Sequence, residues 1–318
     1  MQGCGFGDLT TCVSFRFYFD GIEIDRAAHL RRDPGWSGGI PADAAVRILP
    51  MWRDQSLVYA GEPPRAAFLD REHAEKICAL SSCTVFLGLD NGSAYYAIDL
   101  SEHEDTAQLP LPAGATFEDL RRLATQIDPV EAGYLAYARA LGHWHRNHRF
   151  CGACGAPTQP DKGGHERVCT DKGCGRSHFP RTDPAVIMLV THPDGARCLL
   201  GRNKRFKGLR FSTIAGFVEP GESLEQAVSR EVKEETGIRT TDVTYQASQP
   251  WPFPASIMLG FRARAVNEDI NCEDQELIEA KWFTRDEVRA MADTQEILPP
   301  ARYSISRWLI DTWLEEEA

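Results

Sequence analysis

The segment Gly216–Ile238, GFVEPGESLEQAVSREVKEETGI, constrains the fold of this 318-residue chain more than any other part of it. Its glycine- and proline-containing loop leads into a predicted helix from about Ser223 to Thr236, and Gly237 is a typical residue to end such a helix. At about 100° per residue, the apolar face of the helix turns into a cluster of carboxylates in its second half. These carboxylates belong to Glu231, Glu234 and Glu235.

Clustered carboxylates near the C-terminal end of a helix repel one another and the helix dipole. Arg230 can compensate one of them, and divalent cations held by carboxylate oxygens can compensate the rest. A solvent-exposed acidic helix end is the alternative interpretation. The fixed order of loop, helix and triad favours a functional site.

The same segment resembles the Nudix box, G-x5-E-x7-R-E-U-x-E-E-x-G-U. All nine defined positions match: Gly216, Glu222, Arg230, Glu231, Val232, Glu234, Glu235, Gly237 and Ile238. The resemblance implies an α/β/α sandwich that hydrolyses a nucleoside diphosphate linked to a further moiety.

The resemblance also implies a mechanism. Glu231, Glu234 and Glu235 would bind Mg²⁺ or Mn²⁺, with the Ala215 carbonyl as a further candidate ligand, and the ions would activate a water for attack on phosphorus. One of these glutamates, or the distant Glu276, would accept the proton of that water. Arg230 would position Glu231, and Glu222 would brace the loop.

Four of the ten cysteines form two closely spaced pairs, Cys151-x2-Cys154 and Cys169-x4-Cys174. Each pair suits a short turn in which two thiolates face one ion, and two such turns predict a tetrahedral zinc site. Four cysteine ligands leave no position for water, so the zinc is predicted to be structural. His178 is interpreted as a packed or substrate-near residue rather than a ligand.

A second motif, SQPWPFPAS at Ser248–Ser256, is a stiff extended segment that displays Trp251 and Phe253. Taken alone, it is typical of a proline-rich loop that packs aromatic rings on the core, and a polyproline ligand is a weaker alternative. Ten residues after the box, it resembles the SQPWPFPxS signature of the NADH pyrophosphatase subgroup of the Nudix family. Aromatic faces suit adenine and nicotinamide rings.

The subgroup resemblance covers residues 128–318 well and implies further site residues. The residues that would line the substrate are Gln249, Pro250, Trp251, Pro252, Phe253, Pro254, Ala255 and Ser256, together with Phe179, Phe217, Glu276 and Ser306. Glu276 would also be a metal ligand. Members of the subgroup are homodimers, in which the neighbour's Trp251 would complete the pocket.

The remaining pattern predicts three domains: an N-terminal α+β domain at 1–148, a zinc ribbon at 149–180 and a Nudix domain at 181–318. In the first, aliphatic and aromatic stretches predict strands, including Val13–Phe19, and Asn91-Gly92 predicts a hairpin turn. A helix is predicted from about Pro129 to Trp144 and another near Ser304–Leu314. No catalytic constellation is visible in residues 1–148.

Net charge is −11, from 35 Lys and Arg against 46 Asp and Glu, so nucleic-acid binding would require a local basic patch. His143–Arg149 and Arg202–Arg210 are the basic clusters. No apolar run of about 18 residues predicts a membrane span. The scattered remaining cysteines favour a reducing compartment. The C-x4-C pair resembles eukaryotic peroxisomal relatives, but the lack of ankyrin repeats and of a peroxisomal tail favours a bacterial cytoplasm.

From these features we expect hydrolysis of NAD(H) to NMN(H) and AMP, with removal of NAD caps from RNA 5′ ends as a second activity of the same pocket. One alternative is a Nudix hydrolase that acts mainly on other dinucleotides, such as ADP-ribose or diadenosine polyphosphates. The other is a catalytically dead NAD-sensing module, although the intact triad Glu231, Glu234 and Glu235 argues against it.

Overall fold

Three β-sheets organise the chain in a computed structural model. The structure describes residues 17–33, 45–123, 125–204, 210–272, 276–294 and 304–316. The predicted stretch Val13–Phe19 lies partly outside these residues. Its described part, residues 17–19, is wrong as a strand, because it forms a turn in which Asp20 accepts a hydrogen bond from the Phe17 amide at 3.1 Å.

The first sheet has six strands and lies before the cysteine pairs. Its elements are β1 (Ala45–Trp52), β2 (Gln55–Tyr59), β3 (Arg65–Ala66), β4 (Cys83–Asp90), β5 (Ser93–Asp99) and β6 (Ala115–Asp119), with α1 (Ala28–Arg32), α2 (Arg71–Cys78), α3 (Leu120–Leu123) and α4 (Pro129–Asn147). Asn91 and Gly92 both have positive φ and join β4 to β5, so the predicted hairpin is confirmed. The expected α+β class is also confirmed.

Helix α4 covers one face of this sheet, as its apolar spacing predicts. Asp128 caps its N-terminus, and Pro129 occupies the first turn, where no amide donor is needed. The five residues used for the prediction are all buried: Tyr134, Leu135, Ala138, Leu141 and Trp144.

The second sheet is small and carries the cysteine pairs. Its three strands are β7 (Thr158–Asp161), β8 (Glu166–Cys169) and β9 (Ser177–His178), with a 3-10 turn at Lys162–Gly164. It packs on the first sheet through two imidazoles. His145 of α4 bonds the Gly164 carbonyl at 2.8 Å, and His165 bonds the Phe86 carbonyl of β4 at 2.7 Å.

The third sheet has six strands with helices on both faces. Its elements are β10 (Asp183–Thr191), β11 (Arg197–Asn203), β12 (Ile214–Phe217), β13 (Thr240–Trp251), β14 (Ser256–Ala265) and β15 (Leu277–Thr284), with α5 (Leu224–Thr236), α6 (Arg285–Thr294) and α7 (Ile305–Glu315). Alternate residues of β10 pack on opposite layers: Val186 and Met188 face α5, whereas Ile187 and Leu189 face α6 and α7. The expected α/β/α sandwich is confirmed.

The first and third sheets share one plan. In both, three strands and a helix are followed by three strands and two helices. Both contain a central parallel pair, β1 with β5 and β10 with β14, flanked by antiparallel strands. The two differ in the third strand, since β3 pairs with β2 whereas β12 pairs with β10.

The β13–β14 turn of the third sheet packs against the N-terminal half of the chain. Phe253 from this turn is buried in the core of the first unit, edge-on to Phe19 with ring centroids 5.4 Å apart. Arg121 and Arg139 lie over the same ring, at 4.6 Å and 5.1 Å from its centroid. Within the described residues, no helix is both long and apolar enough to cross a membrane.

Candidate active site and metal centre

Helix α5 begins and ends where its sequence dictates. The Ser223 hydroxyl accepts the Gln226 amide, and the Gln226 side chain accepts the Ser223 amide, which completes a capping box. Gly237 ends the helix in the left-handed region at φ 71°. Ala227 and Val228 are fully buried against the sheet, so the acidic second half of the helix is fixed relative to β12.

Arg230 is the centre of the acidic cluster. Its Nε and Nη2 bind both oxygens of Glu222, at 3.0 Å and 2.6 Å. Its Nη1 bonds Glu231 at 2.9 Å and Glu234 at 3.0 Å. Nη2 also donates to the Phe217 carbonyl at 2.8 Å, which ties the loop to the helix. Hydrogen bonds to these carboxylates, that to Glu222 foremost, raise the pKa of Arg230.

Glu222 contacts both the loop and Arg230. Besides binding Arg230, its carboxylate accepts the Glu219 amide at 2.7 Å. The side-chain hydrogen bond from Arg230 and the backbone hydrogen bond from Glu219 hold the pKa of Glu222 below its ordinary value. The loop between β12 and α5 is therefore closed on itself by one carboxylate.

Glu231 lies directly against the backbone of Gly216. A Cβ built on Gly216 would stand 1.9 Å from the Glu231 carboxyl carbon and 2.1 Å from each of its oxygens. Desolvation raises the pKa of Glu231, and the charges of Glu234 and Glu276 raise it further, although Arg230 opposes them. The glycine therefore makes room for a carboxylate that is held in an unfavourable, partly dehydrated position.

The other glutamates of the cluster differ in exposure. Glu235 is buried at 4% exposure, whereas the Glu234 side chain is 55% exposed and Glu276 is also exposed. Among the described carboxylates, no three bring their oxygens within 4.8 Å of one another. All are hard oxygen donors, the class that Mg²⁺ and Mn²⁺ prefer, so their chemistry fits such an ion.

A cavity of about 560 Å³, the box cavity, is lined by Ala215, which precedes Gly216 on β12, but by none of the clustered carboxylates. Four of its lining residues were among the predicted site residues: Ala215, Gln249, Trp251 and Ser306. Ser306 is fixed by the Thr213 hydroxyl at 2.9 Å, and Gln249 accepts the Ile305 amide at 2.8 Å. The helix N-terminus of α7 is thereby joined to β13 at the floor of the cavity.

Other lining residues of the box cavity were not predicted as site residues. They are Arg121, Ile187, Asn203, Arg210, Ser212, Thr213, Met258, Ser304 and Ile305. Arg210 belongs to the basic cluster Arg202–Arg210, of which residues 205–209 lie outside the described part of the chain. Arg121 comes from the N-terminal half, and no local signal in the sequence could have found it.

The SQPWPFPAS segment does not face one cavity. Trp251 ends β13 and pairs with Ser256, so the segment is a strand and a turn. Pro250, Pro252, Ala255 and Ser256 line a second cavity of about 480 Å³, with Trp251 shared between the two. Phe253 points into the N-terminal core, and Pro254 is exposed.

The two remaining predicted aromatic residues lie outside the box cavity within this chain. Phe217 follows the box glycine and is 58% exposed. Phe179 is 64% exposed and lines a small cavity of about 250 Å³ with Arg31, Arg32 and Lys162. Both rings are large apolar surfaces available to a partner or ligand.

The four predicted zinc cysteines form one cluster. Their Sγ atoms all lie within 4.8 Å of one another, with Cys151 to Cys174 at 3.8 Å and Cys154 to Cys169 at 3.4 Å. Tetrahedral zinc with Zn–S of about 2.3 Å requires S–S separations of about 3.8 Å. The residues present therefore fit structural zinc, and among the described residues no other such group of Cys, His, Asp or Glu occurs.

Local hydrogen bonds explain how the pairs close on the ion. The amides of Ala153 and Cys154 donate to Cys151 and lower the pKa of its thiol to about 6, which favours the thiolate. In the longer C-x4-C loop, the Asp171 side chain accepts the amides of Gly173 at 2.7 Å and Cys174 at 3.1 Å. His178 also lies near Cys151 and lowers the pKa of that thiol.

Three family models match the chain. They are described as an NADH pyrophosphatase-like rudimentary NUDIX domain at residues 46–144, an NADH pyrophosphatase zinc ribbon domain at 146–179 and a NUDIX domain at 181–309. The rudimentary domain was not foreseen in the sequence. Its match agrees with the shared plan of the first and third sheets.

Characterised proteins of the same kind are similar over most of the chain. The NAD-capped RNA hydrolase NudC of Mycobacterium bovis is 39% identical over 92% of this chain and 93% of its own length. The human NAD-capped RNA hydrolase NUDT12 is 38% identical over 82% of this chain but 54% of its own length, so the chain spans about half of that relative. A solved NUDIX hydrolase of Nitrosomonas europaea is 20% identical, with a TM-score of 0.41 over 53% of this chain and 91% of its own.

Proposed function

The chain belongs to the Nudix hydrolase family, and from that premise we propose that it hydrolyses the diphosphate of NAD(H) to NMN(H) and AMP. One observation carries the proposal. The Glu231 carboxylate is held by Arg230 against the Gly216 backbone, and the adjacent Ala215 lines the box cavity. The acidic cluster and a cavity large enough for part of a dinucleotide thus adjoin neighbouring residues of one strand, β12.

The residues that would hold Mg²⁺ or Mn²⁺ are Glu231, Glu234, Glu235 and Glu276 with the Ala215 carbonyl. Such an ion supplies positive charge to the diphosphate oxygens and acidifies the attacking water. Arg230 fixes the direction of Glu231, and Glu222 keeps the loop closed. A glutamate of the cluster, or Glu276, accepts the proton of the water.

Recognition of the dinucleotide rests on the aromatic and polar residues around the cavity. Trp251 and Phe217 offer ring faces for the nicotinamide and adenine bases. Gln249 and Ser306 provide fixed polar groups at the floor, and Phe179 is a further stacking surface. Arg121 and Arg210 line the cavity and carry positive charge suited to phosphate oxygens.

Removal of NAD caps from RNA 5′ ends is proposed as a second use of the same pocket. The capped end is the same dinucleotide with a 3′ extension, so the hydrolysed bond is identical. The similar proteins named NAD-capped RNA hydrolase support this extension.

A homodimer is proposed as the functional unit. Trp251 packs within its own chain on Phe19, with ring centroids 6.0 Å apart, and remains half-buried. The exposed rings of Phe217 and Phe179 lie outside the box cavity of their own chain. A second copy that brings its Trp251 to the first would complete the aromatic pocket, and light scattering after gel filtration tests for twice the 35.5 kDa chain mass.

We also propose the domain division 1–148, 149–180 and 181–318 and a cytoplasmic location. The three separate sheets and the three matched family models support the division. None of the eight cysteines among the described residues forms a disulfide, which suits a reducing compartment.

The deciding experiment measures turnover of NADH, NAD, ADP-ribose, a diadenosine polyphosphate and an NAD-capped RNA with Mg²⁺ or Mn²⁺, with products resolved by chromatography. NMNH and AMP from NADH are expected, together with cleavage of the capped RNA. Faster turnover of ADP-ribose or of the diadenosine substrate would replace the proposal by another Nudix specificity. No cleavage by folded, zinc-loaded protein would indicate a binding module.

A matched pair of variants tests the role of α5. Glu235→Gln should abolish turnover without changing zinc content or the circular dichroism spectrum. Glu225→Gln alters an exposed carboxylate in the first turn of the same helix and should leave turnover unchanged. Full activity of Glu235→Gln would contradict the assigned role.

A further inference from the structure

A cavity of about 450 Å³, the junction pocket, lies where α4, the first sheet and the zinc ribbon meet, and it shares no lining residue with the box cavity. No role in the proposed hydrolysis uses it. Among its buried charged groups is Arg167 of β8, which is 7% exposed. Buried guanidinium groups are normally paired with a carboxylate, because desolvation of an unpaired charge is costly.

Arg167 has only neutral hydrogen-bond partners. Its Nε donates to the Thr158 hydroxyl and its Nη2 to the Thr158 carbonyl, each at 2.7 Å. Its Nη1 lies 2.9 Å from Nδ1 of His145. These three bonds use three of the five N–H groups of a guanidinium. No carboxylate of the described residues lies within 4.0 Å of it.

The neighbouring groups do not supply the missing negative charge. His145 donates from Nε2 to the Gly164 carbonyl, so its Nδ1 is the acceptor for Arg167 and the ring is neutral. Burial lowers the pKa of His145 to about 4. Burial also raises the pKa of Cys83, which lines the pocket, to about 12, so its thiol is neutral as well.

The other charged residues of the junction pocket all have ion-pair partners. Arg146 bonds Asp99 at 3.4 Å, where Asp99 is 2% exposed, and also bonds Asp54, outside the pocket lining, at 2.8 Å. Arg149 lies 3.5 Å from Glu102 at the mouth, where both side chains are 61% exposed. Three guanidinium groups and two carboxylates therefore line the cavity, and Arg167 accounts for the unmatched positive charge.

We propose that the junction pocket binds the phosphate group of a small ligand, with Arg167 at its base and Arg149 at its mouth. A planar guanidinium with two free N–H groups suits a tetrahedral oxyanion. Phe150 lines the mouth and is 66% exposed, which offers a face for a base. The shared chemistry of the ligand is therefore phosphate, either as the free ion or as a nucleoside monophosphate.

The test is calorimetric titration of the zinc-loaded full chain with inorganic phosphate, without added Mg²⁺ or Mn²⁺. Saturable binding is expected, and Arg149→Glu should weaken it about tenfold or more, which corresponds to about 1.4 kcal/mol. Lys172→Glu makes the same charge change at an exposed ribbon residue outside the pocket and should leave affinity within about twofold. Arg167→Gln should abolish binding, with circular dichroism and zinc content as controls for folding.

A second titration with AMP identifies the source of the phosphate. Tighter binding of AMP than of phosphate, lost in Phe150→Ala, assigns a nucleotide; equal affinities assign the free ion. Absence of saturable phosphate binding, or binding that Arg149→Glu leaves unchanged, overturns the proposal. These titrations involve no turnover, and Arg149 and Phe150 line the junction pocket but not the box cavity, so loss of binding in their variants distinguishes this site from that of the proposed hydrolysis.

Discussion

At the scale of single residues, the missing side chain of Gly216 decides where the Glu231 carboxylate can lie. Gly216→Ala keeps a backbone conformation open to alanine, but its Cβ would overlap the carboxylate at 1.9–2.1 Å. Glu231 is the flexible partner, so it would move while the loop stays. We expect at least a tenfold loss of turnover with little change in the unfolding midpoint, measured by steady-state kinetics and thermal denaturation.

Gly152→Ala is the matched control for that substitution. Its Cβ would meet no atom within 4 Å, so activity, stability and zinc content should all be preserved. Equal effects of the two alanines on turnover would show that the contact between Gly216 and Glu231 has no functional role.

Arg230 sets the charge state of Glu231 as well as its position. Burial raises the pKa of Glu231, and the hydrogen bond from Arg230 opposes that rise. Arg230→Gln removes the opposing effect, so the pKa of Glu231 should rise and the acidic limb of the rate profile should move to higher pH. Arg230→Lys retains the charge and should move that limb less. Profiles of kcat/KM against pH measure both, and an unchanged limb in Arg230→Gln would contradict this assignment.

Some of these residues could be predicted from the sequence and others could not. Helical spacing placed Glu231 and Glu234 close to Arg230, because a helix fixes the offsets of its side chains, and Arg230 bonds both. Glu222 precedes the helix, and its role came only from the resemblance to the Nudix box. Arg121 of the box cavity could not be predicted, since a contact across two domains leaves no local periodicity.

At the scale of elements, the buried His145 and the half-buried His165 join the zinc ribbon to the first sheet. Burial lowers the pKa of His145 and of His165 to about 4, from 6.5 for a free imidazole. The unfolded chain therefore binds more protons than the folded chain between pH 6.5 and 4, and stability falls as pH falls through that window. For His145 the loss reaches at most about 3 kcal/mol.

His145→Gln tests this linkage, because glutamine can hydrogen-bond to both Arg167 and Gly164 without titrating. The free energy of unfolding of this variant should depend less steeply on pH between 6.5 and 5 than that of the wild type, as measured by denaturant titration. His29→Gln changes an exposed histidine of α1 and should preserve the wild-type slope. A slope unaltered by His145→Gln would exclude His145 as a source of the pH dependence.

The SQPWPFPAS motif predicted the backbone of its segment better than the directions of its side chains. The predicted extended chain is present at residues 248–251, but the prediction is wrong for residues 252–255, which form a turn. Pro250 is tolerated because β13 is an edge strand of its sheet. The pattern could not reveal that neighbouring residues face different cavities, because side chains of a strand alternate and the turn redirects those that follow. Phe253, predicted beside the substrate, is buried in the N-terminal core instead.

At the scale of the whole molecule, the chain contains the same strand and helix order twice. The alternation of apolar residues predicted strands in the N-terminal half. It could not predict that these strands follow the same order as those of the C-terminal half, because many folds share such alternation. Helix α2 follows the first three strands of its sheet, as α5 does in the third sheet, but its sequence REHAEKIC lacks the box residues. The N-terminal half, which has no acidic helix of this kind among its described residues, contributes Arg121 to the box cavity and the core in which Phe253 is buried.

The burial of Phe253 in the N-terminal core can be tested by substitution. Phe253 packs on Phe19 and Trp251 beneath two guanidinium groups, at 7% exposure, so Phe253→Ala should destabilise the protein by about 3 kcal/mol. Turnover should also fall, because Trp251 at the box cavity loses its support. Tyr245→Ala truncates a 56% exposed ring on β13, the strand that ends at Trp251. This variant should lose less than about 1 kcal/mol of unfolding free energy and keep its activity. Denaturant unfolding and kinetics of both variants measure the two effects, and a Phe253→Ala enzyme with wild-type turnover would mean that the N-terminal half does not support the cavity.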